Sequence, residues 1–138
     1  MAKPTLKGWE VLRRIVKYIK GKPRIIQNIP WEKMSNDIDG YGDSDWAGDQ
    51  RTLKSTSGGV ISWGSHIMKT WSTSQSTLAL SSGEAELYAL TKVAAQVSGM
   101  ISLAADFEDK LNGTVRSDSN AAIGIAHRTG LGGRCRHI

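Results

Sequence analysis

The spacing of apolar residues near the start of the chain predicts a helix over residues 6–20. One face of a 3.6-residue period is shared by Trp9, Leu12, Val16 and Ile19. Pro4 and Thr5 are typical of a helix start, and Gly21 with Pro23 are typical of its end.

The middle of the chain favours strands. Residues 38–45 are predicted to form the first strand, although glycines interrupt the alternation of apolar and polar positions. Residues 59–63 and 66–71 are predicted to pair as a hairpin, because Gly64-Ser65 between them suits a two-residue type II′ turn.

Two polar connections flank this hairpin. Residues 47–57 are rich in turn-forming side chains, and residues 72–82 are rich in serine and threonine. Leu78 and Leu80 are the large apolar residues of the second connection, and we expect both to be buried.

A long amphipathic helix is predicted to begin near Ser82 or Gly83, with Ser82 as its cap. Its first turn contains Glu84 and Glu86, whose charges suit a helix N-terminus. Its predicted apolar face comprises Leu87, Leu90, Ala94, Val97, Ile101 and Ala104.

After this helix, residues 114–118 are predicted to form a short strand, and Ser119-Asn120 to open a helix through about His127. Hairpin-connected strands followed by a helix and another strand are typical of an α/β protein with a mixed sheet. We therefore predict three antiparallel strands and a parallel fourth strand, with flanking helices.

Charge is unevenly distributed along the chain, whose net charge is +5. Residues 1–34 contain nine Lys/Arg and two Glu, whereas residues 35–138 contain nine Lys/Arg and eleven Asp/Glu. A basic arm beside an acidic body suits a protein that holds a polyanion on one side and metal ions on the other. A solvated basic helix that only aids solubility explains the same pattern.

The composition also limits the cellular setting. The single cysteine, Cys135, excludes a disulfide within the chain, so an intracellular protein is expected. We find no apolar run of about 20 residues and no secretory signal, and expect no membrane partner.

Four acidic residues stand at the ends of predicted elements. Asp43 and Asp45 end the first strand, Glu86 lies in the first turn of the long helix, and Asp118 ends the fourth strand. Strand ends and helix starts converge at the ligand-binding edge of an α/β sheet. Carboxylates gathered there would favour Mg²⁺ or Mn²⁺, although solvated surface acids produce the same spacing.

Several segments, in the same order, resemble the RNase H-like domain of copia-type (Pseudoviridae) LTR retrotransposon polyproteins. They are Tyr41-Gly42-Asp43-Ser44-Asp45-Trp46-Ala47-Gly48-Asp49, Lys54-Ser55-Thr56-Ser57-Gly58-Gly59, Ile61-Ser62-Trp63, Leu80-Ser81-Ser82-Gly83-Glu84-Ala85-Glu86-Leu87-Tyr88-Ala89-Leu90, Ser117-Asp118-Ser119-Asn120-Ala121-Ala122 and Arg136-His137-Ile138. The resemblance spans nearly the whole chain and implies an RNase H-like fold.

The resemblance implies a catalytic site at Asp43, Glu86 and Asp118, which would hold two Mg²⁺ or Mn²⁺ ions. Asp45 is interpreted as secondary, and Glu84 is the weaker of the two helix glutamates. The implied activity is metal-dependent endonucleolytic hydrolysis of the RNA strand of RNA–DNA hybrids during reverse transcription. The nucleophile would be a metal-activated water.

The resemblance also implies a nucleic-acid partner. Ser82 and Gly83 match positions where related enzymes touch the hybrid. Arg13, Arg14 and Lys17 of the first helix are expected to lie near the nucleic-acid backbone.

The resemblance divides the chain into two parts. Residues 1–34 are similar to the connection helix and linker that follow reverse transcriptase, whose domain is an expected partner. Residues 35–138 correspond to the RNase H-like domain. The expected location is the cytoplasm, virus-like particles or the nucleus.

One departure from the family pattern concerns completeness. The family's fourth carboxylate follows a fifth strand, which with the final helix is expected beyond Ile138. A catalytically incomplete module that only binds nucleic acid or partner chains is therefore the alternative function. A fourth strand left at the sheet edge predicts marginal stability or self-association.

Rival sites are less well supported by the residues. A calcium loop from Asp43 would have Ala47 and Lys54 at ligand positions. His127, Cys135 and His137 fit no common zinc spacing.

Gly130-Leu131-Gly132-Gly133 lacks the strand and helix that a dinucleotide loop needs. Trp46 and Trp63 are either core residues or platforms on which a base could stack.

Overall fold

The computed structural model describes residues 5–128, which fall into two compact units, one ending at Trp31 and one beginning at Glu32. The first unit contains helix α1 (Leu6–Gly21), close to the predicted bounds. Thr5 caps this helix because its Oγ1 accepts the backbone N–H of Gly8 at 3.1 Å.

The second unit is an α/β structure with a mixed four-stranded sheet. Its elements are β1 (Asp37–Asp45), β2 (Thr56–Trp63), β3 (His66–Ser74), α2 (Ser82–Asp106), β4 (Asn112–Arg116) and α3 (Asn120–Ala126). The strand order is β3-β2-β1-β4, in which β1 and β4 are parallel and the other neighbours are antiparallel. Helix α2 packs on β1, β2 and β4, and α3 packs on α2. The predicted mixed sheet is confirmed, and β4 lies at one edge of it.

The hairpin between β2 and β3 has the predicted turn. Trp63 pairs with His66, which leaves a two-residue loop. Gly64 has a φ of +57°, whereas Ser65 is not among the residues with positive φ. Positive φ at the first loop position alone is the type II′ pattern.

Several strand boundaries differ from the predictions. Strand β2 begins at Thr56 and β3 continues to Ser74, because serine and threonine pair there across the ladder. β-Branched threonine suits a strand even where no apolar residue marks it. Strand β4 ends at Arg116, so Asp118 follows the strand rather than ending it.

The predicted burial of Leu78 and Leu80 is wrong. Their side chains are 50% and 68% exposed, whereas Ala79 between them is buried. The carbonyl of Ala79 accepts the indole N–H of Trp46 at 3.1 Å. A small residue and a backbone hydrogen bond therefore anchor this connection, and the two leucines point away from the core.

The cap of α2 is one residue earlier than predicted. The cap is Ser81, not Ser82, and its Oγ accepts the backbone N–H of Glu84 at 3.2 Å. The buried face is likewise rotated from the predicted one toward Ala85, Ala89 and Val93.

Glycines on the sheet allow α2 to approach it closely. A Cβ on Gly40 would lie 2.5 Å from Val93 Cγ1 and 2.7 Å from Val97 Cγ2. A Cβ on Gly42 would lie 3.0 Å from Val93, and one on Gly113 of β4 would lie 2.6 Å from Val97. The glycines that obscure the alternation of β1 thus make room for the valines of the helix.

The centre of the unit is a small apolar cluster at this contact. It consists of Ile38, Ile61, Val93 and Val97. Trp71 of β3 packs against the cluster, and its ring occupies the place of a side chain on Gly59.

Helix α2 alone among the helices of residues 5–128 has the length and mean hydropathy of a membrane span. A core helix meets the same two criteria. One face of α2 is buried against the sheet.

We predict that Gly40→Ala lowers the free energy of unfolding by about 1–3 kcal/mol, because the new methyl overpacks the contact with Val93 and Val97. Chemical denaturation followed by circular dichroism measures the change.

The matched control is Gly99→Ala on α2, where a Cβ meets nothing within 4 Å. This variant should raise the free energy of unfolding by about 0.5–1 kcal/mol, because alanine favours a helix over glycine. Equal stability of the two variants would contradict the close-approach interpretation.

Candidate metal centre

The three acids singled out from the sequence come together at one end of the sheet. Asp43, Glu86 and Asp118 each offer a carboxylate oxygen, and these oxygens all lie within 4.8 Å of one another. Asp43 and Asp118 are exposed, whereas Glu86 is half-buried. This cluster is called the carboxylate triad below.

Parallel pairing of β1 and β4 brings the two aspartates together. Tyr41 of β1 is the register partner of Arg116 of β4. Asp43 and Asp118 each follow that pair by two residues, so they leave adjacent strands at the same level. Ser119 then caps α3 by accepting the backbone N–H of Ala122, which fixes the chain directly after Asp118.

The close packing of α2 on β1 supplies the third carboxylate. Ser44 donates from its backbone N–H and its hydroxyl to Oε1 of Glu86, at 3.2 Å and 2.9 Å. Oε2 of Glu86 is buried and has no hydrogen-bond partner within the described part of the chain. Ser44 was not among the residues predicted from the sequence. Its alternation with Ile38, Gly40 and Gly42 along β1 is the signal that could have placed it on the helix-facing side.

The chemistry of the triad fits a hard divalent cation. Carboxylate oxygens are the ligands that Mg²⁺ and Mn²⁺ prefer, and neither histidine nor cysteine belongs to the triad. Carboxylates this close repel one another unless a cation lies between them. A cation would also provide a partner for the buried Oε2 of Glu86, which otherwise lacks one.

Two neighbouring acids lie outside the triad. Asp45, interpreted as secondary, is exposed at the end of β1. Glu84 is only 3% exposed and accepts hydrogen bonds from the backbone N–H of Leu80 at 2.7 Å and the hydroxyl of Tyr88 at 2.8 Å. Glu84 therefore stabilises the start of α2. Its hydrogen bond raises the pKa of the Tyr88 phenol.

The residues expected to contact nucleic acid lie in both units. Ser82 is exposed as the first residue of α2. Gly83 is half-buried, and a Cβ there would lie 3.2 Å from Ala121 of α3, which gives this glycine a packing role.

Arg13, Arg14 and Lys17 are exposed on α1 of the first unit. They share that helix with further cations, so α1 presents a basic surface. Their contact with nucleic acid stays a prediction.

Three side chains near the ends of the sheet make hydrogen bonds within the second unit. The carboxylate of Asp49 closes its own turn by accepting hydrogen bonds from Thr52 Oγ1 at 2.7 Å and from the backbone N–H of Arg51 at 3.0 Å. Both bonds lower the pKa of the Asp49 carboxyl, and the bond from Thr52 has the larger effect. The indole N–H of Trp46 is bonded to Ala79, and that of Trp63 to the carbonyl of Ser35.

The suggested zinc and dinucleotide sites extend past the described residues. His127 is the C-cap residue directly after α3, but Cys135 and His137 lie outside residues 5–128. The segment Gly130-Leu131-Gly132-Gly133 and the terminal Arg136-His137-Ile138 also lie outside them.

Comparison with known proteins gives related polyproteins. The chain is 30% identical over 105 residues to the retrovirus-related Pol polyprotein from transposon RE2 of Arabidopsis thaliana, and 31% identical over 104 residues to that from transposon RE1. Each match covers 75% of this chain. The chain is related in sequence to retrotransposon Pol polyproteins. This relationship supports a retroelement origin.

The relatives are longer than the segment they share with this chain. The match covers 7% of each Pol polyprotein. An uncharacterized mitochondrial protein of Arabidopsis thaliana is 34% identical over 99 residues, which is 71% of this chain and 40% of that protein. No family model matches the chain.

We predict that Asp118→Asn raises the melting temperature in the presence of a chelator by about 3 °C, because it removes one of three mutually repelling charges. Mg²⁺ should raise the melting temperature of the unaltered protein and have a smaller effect on the variant. Differential scanning calorimetry measures both changes.

Asp45→Asn is the control for this experiment, since it removes an acid outside the triad. It should respond to Mg²⁺ as the unaltered protein does. An identical response of all three proteins to chelator and Mg²⁺ would argue against cation binding at the triad.

We predict that Tyr88 ionises above its ordinary pKa of about 10, because its hydroxyl donates to Glu84. A pKa raised by folding means that this bond stabilises the protein below pH 10 and that the contribution is lost as the pH rises through the raised value. Spectrophotometric titration should show Glu84→Gln moving one tyrosine back toward the ordinary value. Superimposable titrations of the two proteins would count against the bond.

Proposed function

We propose that this chain is an RNase H-like domain of a copia-type Pol polyprotein, which hydrolyses the RNA strand of RNA–DNA hybrids at the carboxylate triad. The observation that supports this most strongly is the convergence of Asp43, Glu86 and Asp118 within 4.8 Å. These acids come from three separate segments. They are the same three that the family resemblance assigns to catalysis.

The triad suits phosphodiester hydrolysis with divalent ions. Two Mg²⁺ or Mn²⁺ ions held there would supply an activated water and stabilise the leaving oxygen. Exposed Asp43 and Asp118 leave the site open to a phosphodiester, while half-buried Glu86 is fixed by Ser44. No serine, cysteine or histidine nucleophile is required.

The substrate must be attracted by groups other than the triad, whose charge repels phosphate. We assign this role to Arg13, Arg14 and Lys17 on the basic helix and to Ser82 and Gly83 at the start of α2. Lys and Arg contacts to phosphates provide sequence-independent affinity that decreases with salt. Such contacts suit an enzyme that recognises a hybrid rather than one base sequence.

The relatives support the wider setting of this proposal. Their names describe retrovirus-related Pol polyproteins. We therefore propose that the domain works beside the reverse transcriptase domain of the same polyprotein, inside the cell, in virus-like particles, the cytoplasm or the nucleus.

The alternative function is a module that binds nucleic acid or partner chains without cleaving. The basic surface of α1 favours it, since Arg13, Arg14 and Lys17 are exposed there.

We predict that the protein cleaves the RNA strand of an end-labelled RNA–DNA hybrid in Mg²⁺ or Mn²⁺. Asp43→Asn should lower the rate at least 100-fold, because it removes a charged ligand of the metal ions. This decrease corresponds to a loss of about 2.7 kcal/mol of transition-state stabilisation. Gel electrophoresis of both labelled strands identifies the strand that is cut. A chelator should abolish cleavage.

Asp45→Asn is the matched control, because it changes an aspartate two residues away that lies outside the triad. It should cleave at close to the unaltered rate. Salt-sensitive hybrid binding by the folded protein without metal-dependent cleavage would replace the nuclease with the binding module.

A further inference from the structure

Ser44 is the residue that connects the first strand to the glutamate of the triad. It lies on the side of β1 that α2 covers, as do Ile38, Gly40 and Gly42. Asp43, its neighbour, is a member of the triad. Two consecutive residues of β1 thus serve the site in different ways, one with its own carboxylate and one through Glu86.

Both hydrogen-bond donors of Ser44 are directed at a single oxygen atom. Its hydroxyl and its backbone N–H lie 2.9 Å and 3.2 Å from Oε1 of Glu86, and both bonds are partly buried. The other oxygen, Oε2, is buried without a hydrogen-bond partner within residues 5–128. The two oxygens of one carboxylate therefore have sharply different surroundings.

We propose that Ser44 is a positioning residue that fixes Glu86 so that Oε2 is the oxygen it offers to metal ions. This inference rests on the proposed function of the triad. A glutamate side chain has several rotatable bonds, and the charges of Asp43 and Asp118 within 4.8 Å oppose its approach while no cation is bound. Two donors on Oε1 offset that repulsion and hold the carboxylate in place.

This arrangement reduces the cost of metal binding. A ligand that is already oriented loses less conformational freedom when the ion arrives. Hydrogen-bonded partners behind a metal ligand typically contribute 10–100-fold to metal affinity. The backbone N–H of Ser44 remains in every variant, so substitution of this residue tests the hydroxyl alone.

A purely structural role is the competing explanation. The hydroxyl could serve only to satisfy a half-buried carboxylate, as buried polar groups require. In that case its loss would lower stability and leave the affinity for metal unchanged. Metal affinity and stability must therefore be measured separately.

The test is direct Mn²⁺ binding to the full chain, followed by electron paramagnetic resonance of the free ion. We expect Ser44→Ala to weaken Mn²⁺ binding about tenfold. Ser44→Thr, which retains a hydroxyl, should restore most of the affinity. Ser72→Ala on β3 is the matched control, because Ser72 is an exposed strand serine outside the triad, and it should bind as the unaltered protein does.

Hybrid cleavage provides a second readout. The Mg²⁺ concentration for half-maximal cleavage should rise about tenfold in Ser44→Ala, in parallel with the loss of Mn²⁺ affinity. The rate at saturating Mg²⁺ should fall much less, because the triad itself is intact. Should Ser44→Ala fail to fold, Ser44→Cys keeps the size of the side chain with a weaker donor and should also weaken Mn²⁺ binding.

The outcomes separate this inference from the proposed function. Normal Mn²⁺ affinity in folded Ser44→Ala and Ser44→Cys, with an unaltered protein that binds Mn²⁺ and cleaves, overturns only the role of Ser44. An unaltered protein that takes up no Mn²⁺ overturns both. Weak binding by Ser44→Thr as well as Ser44→Ala overturns the hydroxyl as the cause.

Discussion

The contact between α2 and the glycines of the sheet is the constraint on which the rest of the second unit depends. Gly40 and Gly113 lie where a side chain would collide with Val97, and Gly40 and Gly42 where it would collide with Val93. The absence of these side chains lets the helix lie directly over the β1–β4 pair. Because α2 is one continuous helix, this approach at its middle also fixes where its N-terminal end lies; within it, Glu84 is in the first turn and Glu86, expected there too, follows that turn. The position of Glu86 is therefore decided by apolar packing several residues away.

Repulsion among the three carboxylates of the triad destabilises the second unit while no cation is bound. Apolar packing and parallel pairing bring three negative charges within 4.8 Å of one another, which costs free energy while no cation is bound. The only hydrogen bonds that Glu86 receives within the described residues come from Ser44. Local rules are often violated at functional sites and offset elsewhere in a fold. Here the offset is provided by the close-packed valines and by one serine.

The sequence predicted the elements better than their packing. The hairpin turn at Gly64 and the mixed sheet followed from local signals. Position at strand ends and a helix start singled out four acids, and the family resemblance narrowed them to three. Leu78 was wrongly predicted to be buried, because its apolar character was the only signal in that segment. The hydrogen bond from Trp46 to the carbonyl of Ala79, which buries Ala79 instead, leaves no pattern in the sequence. The glycines of β1 weakened the strand prediction because they lack side chains, and the same lack of side chains lets α2 pack closely on the strand. Ser44 had no signal beyond its alternation, since its role depends on a residue 42 positions away.

The parallel register of β1 and β4 is specified by one packing contact rather than by burial along β4. Strand β4 has five residues, all exposed, so burial of its own side chains does little to specify one alignment. Gly113, however, is the β4 position that faces Val97. A slip by one residue would bring the side chain of Thr114 or Asn112 against that valine and move Asp118 out of level with Asp43. The absence of a side chain at Gly113 therefore disfavours every shifted pairing of β4 with β1. The packing of one glycine in the core thus selects the register that brings Asp43 and Asp118 together.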